Sequence, residues 1–297
     1  MNEKTQTKST LPATTHLGTV TLAISNLERS IAFYSRIIGL KVLTPATDAN
    51  PKSAVLGVGE TPLLHLIEIP NARRQPTFST GLFHMAILLP SRPDLGRFLI
   101  NVIRNQSTIS RLGSSDHLVS EAIYLNDPDG NGLEVYRDRP RTEWQWDGAM
   151  VKMDTIALDA DGVIASVPDP NTPYAGMPEG TVIGHMHLRA SDLAQGKAFY
   201  VDIVGFDVIT DYPGALFVSA GGYHHHLGMN IWQSQDAPSP PADCVGLREF
   251  TIVIPGQETL SAVSERLTKA AYPVMDAQET SFVTRDPWGN RVRFIRA

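Results

Sequence analysis

A predicted hairpin places two side chains capable of chemistry on the same face of a sheet. The stretch Ser120–Asp138 is predicted to form two short strands, and proline followed two residues later by glycine in Asp127–Gly130 favours a type I turn between them. Tyr124 and Glu134 each lie five residues from Asp129, so we expect them to face each other across the hairpin. A glutamate on a strand is usually solvated. If it is buried it needs a partner, and a metal ion is one of the few that suffices.

The histidines are distributed unevenly along the chain. Seven of the nine lie between residues 84 and 226. They are His84, His117, His185, His187, His224, His225 and His226. A single histidine on a strand is usually a hydrogen-bonded structural residue. A group of them, together with a tyrosine and a glutamate, indicates metal binding and acid–base chemistry instead.

The elements that must position these residues repeat four times in the order β-α-β-β-β. Each repeat opens with a strand, which is followed by a helix with apolar residues at helical spacing. The predicted opening strands and helices are His16–Ser25 with Leu27–Ile38, Leu82–Leu89 with Asp94–Arg104, Val182–Arg189 with Leu193–Val204, and Phe250–Ile254 with Thr259–Ala270. The first repeat is predicted to continue with strands at Lys41–Thr44, Ala54–Val58 and Leu63–Ile69.

Two short motifs recur and make the repeat specific. AFY at Ala32–Tyr34 returns at Ala198–Tyr200, and DPDGN at Asp127–Asn131 returns as DPWGN at Asp286–Asn290. We therefore predict two halves with two units each. The predicted divisions are a polar tail at 1–15, units one and two at 16–138, a linker rich in Pro, Asp and Gly at 139–180, and units three and four at 181–297.

Composition excludes several classes of function. A chain of 297 residues with 42% apolar and 19% charged residues is typical of a soluble globular protein with two sizeable cores. A net charge of −6 gives no electrostatic footprint for nucleic acid or for an anionic membrane. The single cysteine, Cys244, and the polar first dozen residues predict a cytoplasmic protein without a disulfide within the chain or a signal peptide. The sequence leaves the oligomeric state open, a homo-oligomer included.

The four units resemble those of the vicinal oxygen chelate superfamily, which includes glyoxalases, antibiotic-resistance proteins and type I extradiol dioxygenases. The resemblance covers nearly the whole chain. It implies an α+β fold in which four βαβββ units pair into two open, cupped mixed β-sheets with flanking helices. The segments YLNDPDGNGLEVYRDRPR and LFVSAGGYHHHLGMNIW are similar to those of the bacterial catechol-2,3-dioxygenase branch.

By this resemblance, His84, Glu134 and His185 are the metal ligands. His185 stands seven residues before Asp192, as the first ligand of the dioxygenases does, and Glu134 follows the D-P-x-G-N turn. His84 lies in the first strand of the partner unit. Two imidazoles and one carboxylate leave three positions open on Fe(II), which is the implied cofactor, with Mn(II) as the alternative ion.

The resemblance also implies the catalytic side chains around the ligands. Tyr124 lies ten residues before Glu134, which is the family spacing, and His225 occupies the position of the acid–base histidine. His117 is the expected loop histidine, although seven residues rather than nine separate it from Tyr124. Three further histidines are predicted either to pack behind the ligands or to supply a fourth one, namely His187, His224 and His226.

The implied function is Fe(II)-dependent extradiol cleavage of catechol, or of a small substituted catechol, by O2. The implied product is a 2-hydroxymuconic semialdehyde or its substituted analogue. Two alternatives share the scaffold. A glyoxalase-type lyase or isomerase would take a fourth ligand from the partner unit, and a non-catalytic drug-binding protein would lack the three ligands. Fold alone does not separate these functions.

The ligands also predict how the units pair. His84 and Glu134 belong to the second unit and His185 to the third, so a complete site requires these two units to share one sheet. We expect this pairing within one chain rather than by exchange between subunits. The first and fourth units would then form a structural sheet, in which Glu249 faces Arg293.

Overall fold

A computed structural model describes residues 11–44 and 51–297. The predicted tail at 1–15 lies mostly outside the described residues. The first unit contains β1 (His16–Ile24), α1 (Leu27–Phe33), β2 (Lys41–Thr44), β3 (Ser53–Val58) and β4 (Thr61–Glu68). The second contains β5 (Gly81–Leu89), α2 (Arg92–Arg104), β6 (Ser110–Asp116), β7 (Ser120–Asn126) and β8 (Gly132–Asp138).

The second half of the chain repeats this order after a partly structured linker. The linker holds β9 (Trp146–Asp147), β10 (Met150–Val151) and α3 (Ala160–Ala165). The third unit contains β11 (Val182–Arg189), α4 (Leu193–Lys197), β12 (Asp207–Tyr212), β13 (Ala215–Ser219) and β14 (Leu227–Asn230). The fourth contains β15 (Gly246–Ile254), α5 (Gln257–Lys269), β16 (Met275–Gln278), β17 (Ser281–Arg285) and β18 (Arg291–Arg296).

Apart from the linker pair β9 and β10, the described strands form two eight-stranded mixed sheets, as the α+β prediction required. One sheet has the order β16-β17-β18-β15-β1-β4-β3-β2 and joins units one and four. The other has the order β12-β13-β14-β11-β5-β8-β7-β6 and joins units two and three. We call them the 1–4 sheet and the 2–3 sheet. The second and third units therefore meet within one chain, as the candidate ligands demanded.

The centre of the 2–3 sheet is the antiparallel pair β5 and β11. Side chains alternate between the two faces of a strand. Met85 and Met186 are fully buried in the main apolar core. His84 and His185, one residue earlier on each strand, point to the opposite face. The pattern of strand residues thus puts the apolar core on one side and the histidines on the other.

The two recurring motifs tie the sheets to each other. The Tyr34 hydroxyl, in the first unit, donates to Asp127 Oδ2 in the second at 3.0 Å. The Tyr200 hydroxyl, in the third unit, donates to Asp286 Oδ2 in the fourth at 3.0 Å. Each bond links the helical segment of one sheet to the D-P-x-G-N turn of the other. The motifs recur because the same contact is built twice.

We expect the Tyr200→Phe variant to be destabilised by roughly 1.5–3 kcal/mol, because Asp286 loses a buried donor and hydrogen bonds to carboxylates are worth about that much. Urea unfolding measures the change. Tyr272→Phe is the matched control, since Tyr272 packs on the neighbouring Phe199 ring at 4.8 Å without carrying the Asp286 bond. Equal effects of the two substitutions would contradict this role for the Tyr200 hydroxyl.

Three elements differ from their predicted bounds by more than two residues at one end. The helix expected at Leu27–Ile38 ends as α1 at Phe33 and continues as a π-helical turn, in which the amides of Gly39 and Leu40 both donate to the Tyr34 carbonyl. Helix α4 is likewise followed by a π-helical segment, Ala198–Val204. Strand β15 starts at Gly246 rather than Phe250, because its ladder with β1 continues through polar residues that interrupt the apolar run.

The 1–4 sheet carries an ion pair where the 2–3 sheet carries candidate ligands. Arg293 Nε lies 2.6 Å from Glu249 Oε1, and Arg291 Nε lies 3.1 Å from Glu249 Oε2. The carboxylate is therefore already neutralised by protein cations. In the part of the chain that the structure describes, no helix combines the length and apolar character needed to cross a bilayer.

Candidate metal centre and active site

Three potential ligand atoms converge on the concave face of the 2–3 sheet. Glu134 Oε2 lies 2.9 Å from His84 Nε2 and 3.1 Å from His185 Nε2. The two imidazole nitrogens are 3.3 Å apart. All three side chains are buried, with residue exposures of 7% for His84, 2% for Glu134 and 1% for His185. This is the group that the sequence predicted.

Strand register explains the convergence. Glu134 lies on β8 beside Ala86 of the parallel neighbour β5, two residues past His84. Ala86 also pairs with His185 across the antiparallel β5–β11 junction. The three strands that carry the candidate ligands are therefore consecutive in the sheet, in the order β11-β5-β8. Ala86 is the small residue around which the three side chains are arranged.

The electrostatics fit a divalent cation. Burial alone would raise the pKa of Glu134, but contacts with His185 and His84 hold it well below its usual range. Burial lowers the pKa of His185 to about 4, so its imidazole is neutral at neutral pH. No lysine or arginine among the described residues pairs with Glu134. A buried carboxylate and two histidines without a protein cation form a donor set suited to Fe(II) or Mn(II).

Tyr124 is held beside the ligand group by His117. Tyr124 pairs with Glu134 across the β7–β8 hairpin, and its hydroxyl lies 2.6 Å from His117 Nε2. His117 Nδ1 is 2.8 Å from the Asp154 carbonyl, which can only accept. In neutral His117, Nδ1 therefore carries the proton and Nε2 accepts from Tyr124. Burial and the Glu134 charge raise the pKa of Tyr124 well above 10, so the phenol is protonated.

His225 packs on the candidate ligand His185. It is also the last residue of a hydrogen-bonded chain that starts at Asp138. The two rings are 4.0 Å apart between centroids. His224 Nε2 lies 2.9 Å from Asp138 Oδ1, and His224 Nδ1 lies 2.8 Å from His225 Nδ1. The carboxylate accepts, so His224 donates through Nε2 and accepts through Nδ1. His225 Nδ1 must then donate, which leaves the unprotonated His225 Nε2 available as a base.

The three additional histidines lie outside the ligand group. His187 Nε2 accepts from the Asn230 side-chain amide at 2.9 Å, and the His187 ring lines the cavity described below. His226 Nδ1 accepts from the Ala220 amide at 3.2 Å, and His224 is used in the chain to Asp138. Among the described residues, His84, Glu134 and His185 are the only group of three or more His, Cys, Asp or Glu residues whose ligand atoms all lie within 4.8 Å of one another.

A glycine occupies the position at which the third unit would supply a fourth ligand. In the second unit, Glu134 lies beside Ala86, two residues past the β5 ligand. The matching place in the third unit, beside His187, is Gly228 of β14. A Cβ on Gly228 would lie 3.1 Å from the His187 ring. The described chain therefore brings three candidate ligands together, and a side chain at this place would crowd the His187 ring.

A cavity of about 570 Å³ opens over the ligand group. Tyr124, His117 and His225 line it, together with residues that the sequence analysis missed, namely Phe83, Phe217, Trp232, Arg111 and Arg189. For two of these residues, Arg189 and Phe217, the alternation of side chains along a strand could have predicted that they face the cavity. Arg189 lies four residues after His185 on β11, and Phe217 pairs with Gly228.

The sequence profile of the glyoxalase/bleomycin resistance protein/dioxygenase superfamily matches residues 16–135 and 182–294. The chain belongs to this superfamily. It is 46% identical over 278 residues to a catechol-2,3-dioxygenase of Bacillus subtilis (strain 168), covering 92% of this chain and 94% of that protein.

Solved structures of superfamily members share the fold at much lower sequence identity. A candidate dioxygenase from Bacillus subtilis subsp. subtilis str. 168 has a TM-score of 0.68 at 10% identity, covering 97% of this chain and 86% of that one. Glyoxalase I from Zea mays has a TM-score of 0.57 at 14% identity, covering 95% and 92%. These similarities establish the fold alone, and the reaction has to be inferred from the residues of the site.

The buried neutral histidines of this superfamily member should make the metal-free protein sensitive to acid. Burial lowers the pKa of His226 to about 3, whereas an unfolded histidine titrates near 6.5. Below pH 6.5 the unfolded state binds the proton first, so stability falls as the pH is lowered. Each such histidine contributes about 1.4 kcal/mol per pH unit in this window.

We therefore expect the unfolding free energy of the metal-free protein to drop by about 2 kcal/mol between pH 6.5 and pH 5 from His226 alone. Denaturant titrations at several pH values measure the slope. His226→Asn should reduce that slope by one proton, because the asparagine oxygen can still accept from the Ala220 amide. An unchanged slope in His226→Asn would show that His226 is charged in the folded protein.

Proposed function

We propose that this protein is an Fe(II)-dependent extradiol dioxygenase that opens the ring of catechol, or of a small substituted catechol, with O2. The observation that carries this proposal is the buried group of His84, Glu134 and His185, which faces a cavity lined by Tyr124 and His225. The 46% identity to a catechol-2,3-dioxygenase over 92% of the chain supports it. The reaction adds both atoms of O2 and breaks one ring carbon–carbon bond beside the diol.

The ligand set matches the charge of the substrate. When bound, Fe(II) supplies Lewis acidity toward both catechol oxygens and a one-electron redox couple toward O2. Glu134 is the single charged ligand, because His84 and His185 bind as neutral imidazoles. The site then has a formal charge of +1, which a catechol monoanion neutralises. Catechol therefore needs to lose only one of its two hydroxyl protons before it binds.

Tyr124 and His117 position one catechol oxygen. The Tyr124 hydroxyl donates to His117 Nε2 in the absence of substrate. A catechol hydroxyl that arrives beside Tyr124 can donate to its lone pairs, whereas a deprotonated catechol oxygen can accept its proton. Because His117 is fixed by the Asp154 carbonyl, the tyrosine is oriented with its lone pairs available to a catechol hydroxyl, and its proton must leave the His117 bond before it is donated to a deprotonated catechol oxygen. Orientation of this kind lowers the barrier without any new bond.

His225 is the proposed acid–base residue. Its unprotonated Nε2 can take the second catechol proton, and the same nitrogen can return it when the ring opens. Burial and neighbouring histidines lower the pKa of His225 well below 6.5, so the protonated imidazole is a strong donor. Asp138 and His224 fix the tautomer that makes this possible. General acid–base groups typically contribute roughly 10²- to 10⁴-fold to rate.

A glyoxalase-type lyase or isomerase is the alternative on this scaffold, and Gly228 disfavours it because the fourth ligand position has no side chain. A drug-binding role needs no buried triad. The discriminating experiment adds catechol to anaerobically iron-loaded protein and then admits oxygen. We expect one O2 consumed per catechol and a yellow ring-opened product. Isomerisation of a hemithioacetal without O2 uptake would establish the alternative instead.

A further inference from the structure

Two arginines line the end of the cavity farthest along β11 from the metal ligands. His185, His187 and Arg189 alternate on this strand and all three line the cavity. Arg189 is four residues beyond His185, which corresponds to about 13 Å of strand. The cavity therefore runs from the ligand group along β11 to a guanidinium. At about 570 Å³ it falls in the usual range for ligand sites, roughly 300–1,000 Å³.

The Arg189 guanidinium is poorly satisfied by the protein. Its Nη1 makes a long contact of 3.4 Å with the Thr77 carbonyl, and its buried Nε has no acceptor among the described residues. Burial lowers the pKa of Arg189, and the nearby Arg111 charge lowers it further. A partly buried cation beside a like charge is unfavourable unless an anion joins it.

Arg111 is turned into the cavity by a distortion of its strand. It has a φ of 59° and lies where the β6–β7 pairing shifts between Ser110 and Leu112. A side chain with this backbone conformation is strained, and bulges of this kind redirect side chains near functional sites. No described residue accepts a hydrogen bond from the Arg111 guanidinium. The strained backbone of Arg111 is therefore not explained by a hydrogen bond of its side chain to another described residue.

The acidic residues of the cavity do not neutralise this pair. Glu134 is engaged with the two histidine ligands. Asp154 is exposed at the cavity wall, and its carboxylate accepts from the Thr155 amide at 2.7 Å. Within the described chain, neither carboxylate forms an ion pair with Arg111 or Arg189. Both positive charges are available to a bound anion.

We propose that Arg111 and Arg189 form an anion subsite and that the preferred substrates are catechols whose ring carries a carboxylate-terminated substituent. This inference rests on the proposed function and adds the substrate class. The diol would lie at the ligand group, the ring would lie against the Phe83 and His187 side, and the carboxylate would reach the arginines. Arginine suits this task because its fork binds carboxylates through two parallel bonds.

The test compares 3,4-dihydroxyphenylacetate with neutral 4-ethylcatechol on the iron-loaded protein. In the parent we expect the carboxylated catechol to have the higher kcat/KM and, in anaerobic calorimetric titrations, the lower Kd. We define the preference as the Kd of 4-ethylcatechol divided by the Kd of 3,4-dihydroxyphenylacetate. Arg189→Gln and Arg111→Gln should each reduce this ratio by roughly 10- to 100-fold, the effect of losing a charged hydrogen bond. Arg74→Gln, an exposed arginine outside the cavity, is the control and should leave the ratio unchanged.

The outcomes separate the subsite from the proposed function. A parent that binds both ligands equally, or arginine variants that keep the parental ratio, would overturn the subsite even if catechol is cleaved. A loss of the same size in Arg74→Gln would also overturn it, because it would indicate attraction by overall charge. Absence of O2 uptake with every catechol would refute the dioxygenase assignment, whereas the anaerobic titrations would still test the arginines. If Arg189→Gln does not fold, Arg111→Gln still tests the subsite, because Arg111 is exposed and its replacement should not disturb the fold.

Discussion

Replacing His225 with phenylalanine should lower kcat by roughly 10²- to 10⁴-fold while iron content and anaerobic catechol binding are retained. Phenylalanine preserves the ring that packs on His185 and on Phe217, whose centroids lie 4.0 Å and 5.0 Å from that of His225. It removes Nε2, the nitrogen that the His224 contact leaves unprotonated. Stopped-flow turnover with catechol, alongside metal analysis and anaerobic titration, separates the chemical step from binding.

The matched control is His226→Asn, which changes the next histidine without altering a residue that lines the cavity. Turnover of His225→Phe at the parental rate would remove His225 from the acid–base role. His117, which also lines the cavity, would then be the next histidine to replace. A parallel loss of iron would instead indicate that the substitution disturbs His185.

Replacing Glu134 with glutamine should lower iron affinity by well over 100-fold, because partners that only support a ligand already cost roughly 10- to 100-fold. Glutamine keeps the size of the side chain but removes the one negative charge in the group. His185→Ala should have a comparable effect, since it leaves two protein donors. Anaerobic iron titration with a competing chelator gives the affinities.

The control for Glu134→Gln is Glu249→Gln in the 1–4 sheet, where arginines rather than a metal neutralise the carboxylate. Glu249→Gln should retain the parental iron content. Normal iron content in both Glu134→Gln and His185→Ala would refute the ligand assignment. Circular dichroism of each variant confirms that a lost metal does not reflect a lost fold.

The unit pairing could be inferred from the sequence because ligand placement constrains topology more strongly than chain connectivity does. Consecutive units usually pair, yet His84 and His185 can meet only if units two and three share a sheet. Local turn chemistry was equally informative. The D-P-x-G-N turn fixed the register that puts Tyr124 opposite Glu134.

Other parts of the site depend on features that sequence patterns do not encode. The chain from Asp138 through His224 to His225 requires a loop to approach β8 from 86 residues away. Arg111 enters the cavity through a bulge whose position follows from strand pairing rather than from local composition. Gly228 can be recognised as the place of a missing fourth ligand only when its pairing with His187 is known.

Anomalous diffraction at the iron edge from crystals loaded anaerobically would test the metal centre most directly. We expect one ion per chain, bonded to His84 Nε2, His185 Nε2 and a Glu134 carboxylate oxygen, at the distances of about 2.0–2.2 Å usual for first-row metals with such ligands. Its remaining positions should face the cavity between Tyr124 and His225. An ion bound elsewhere, or one that takes a fourth ligand from His187, His224 or His226, would contradict the proposed centre.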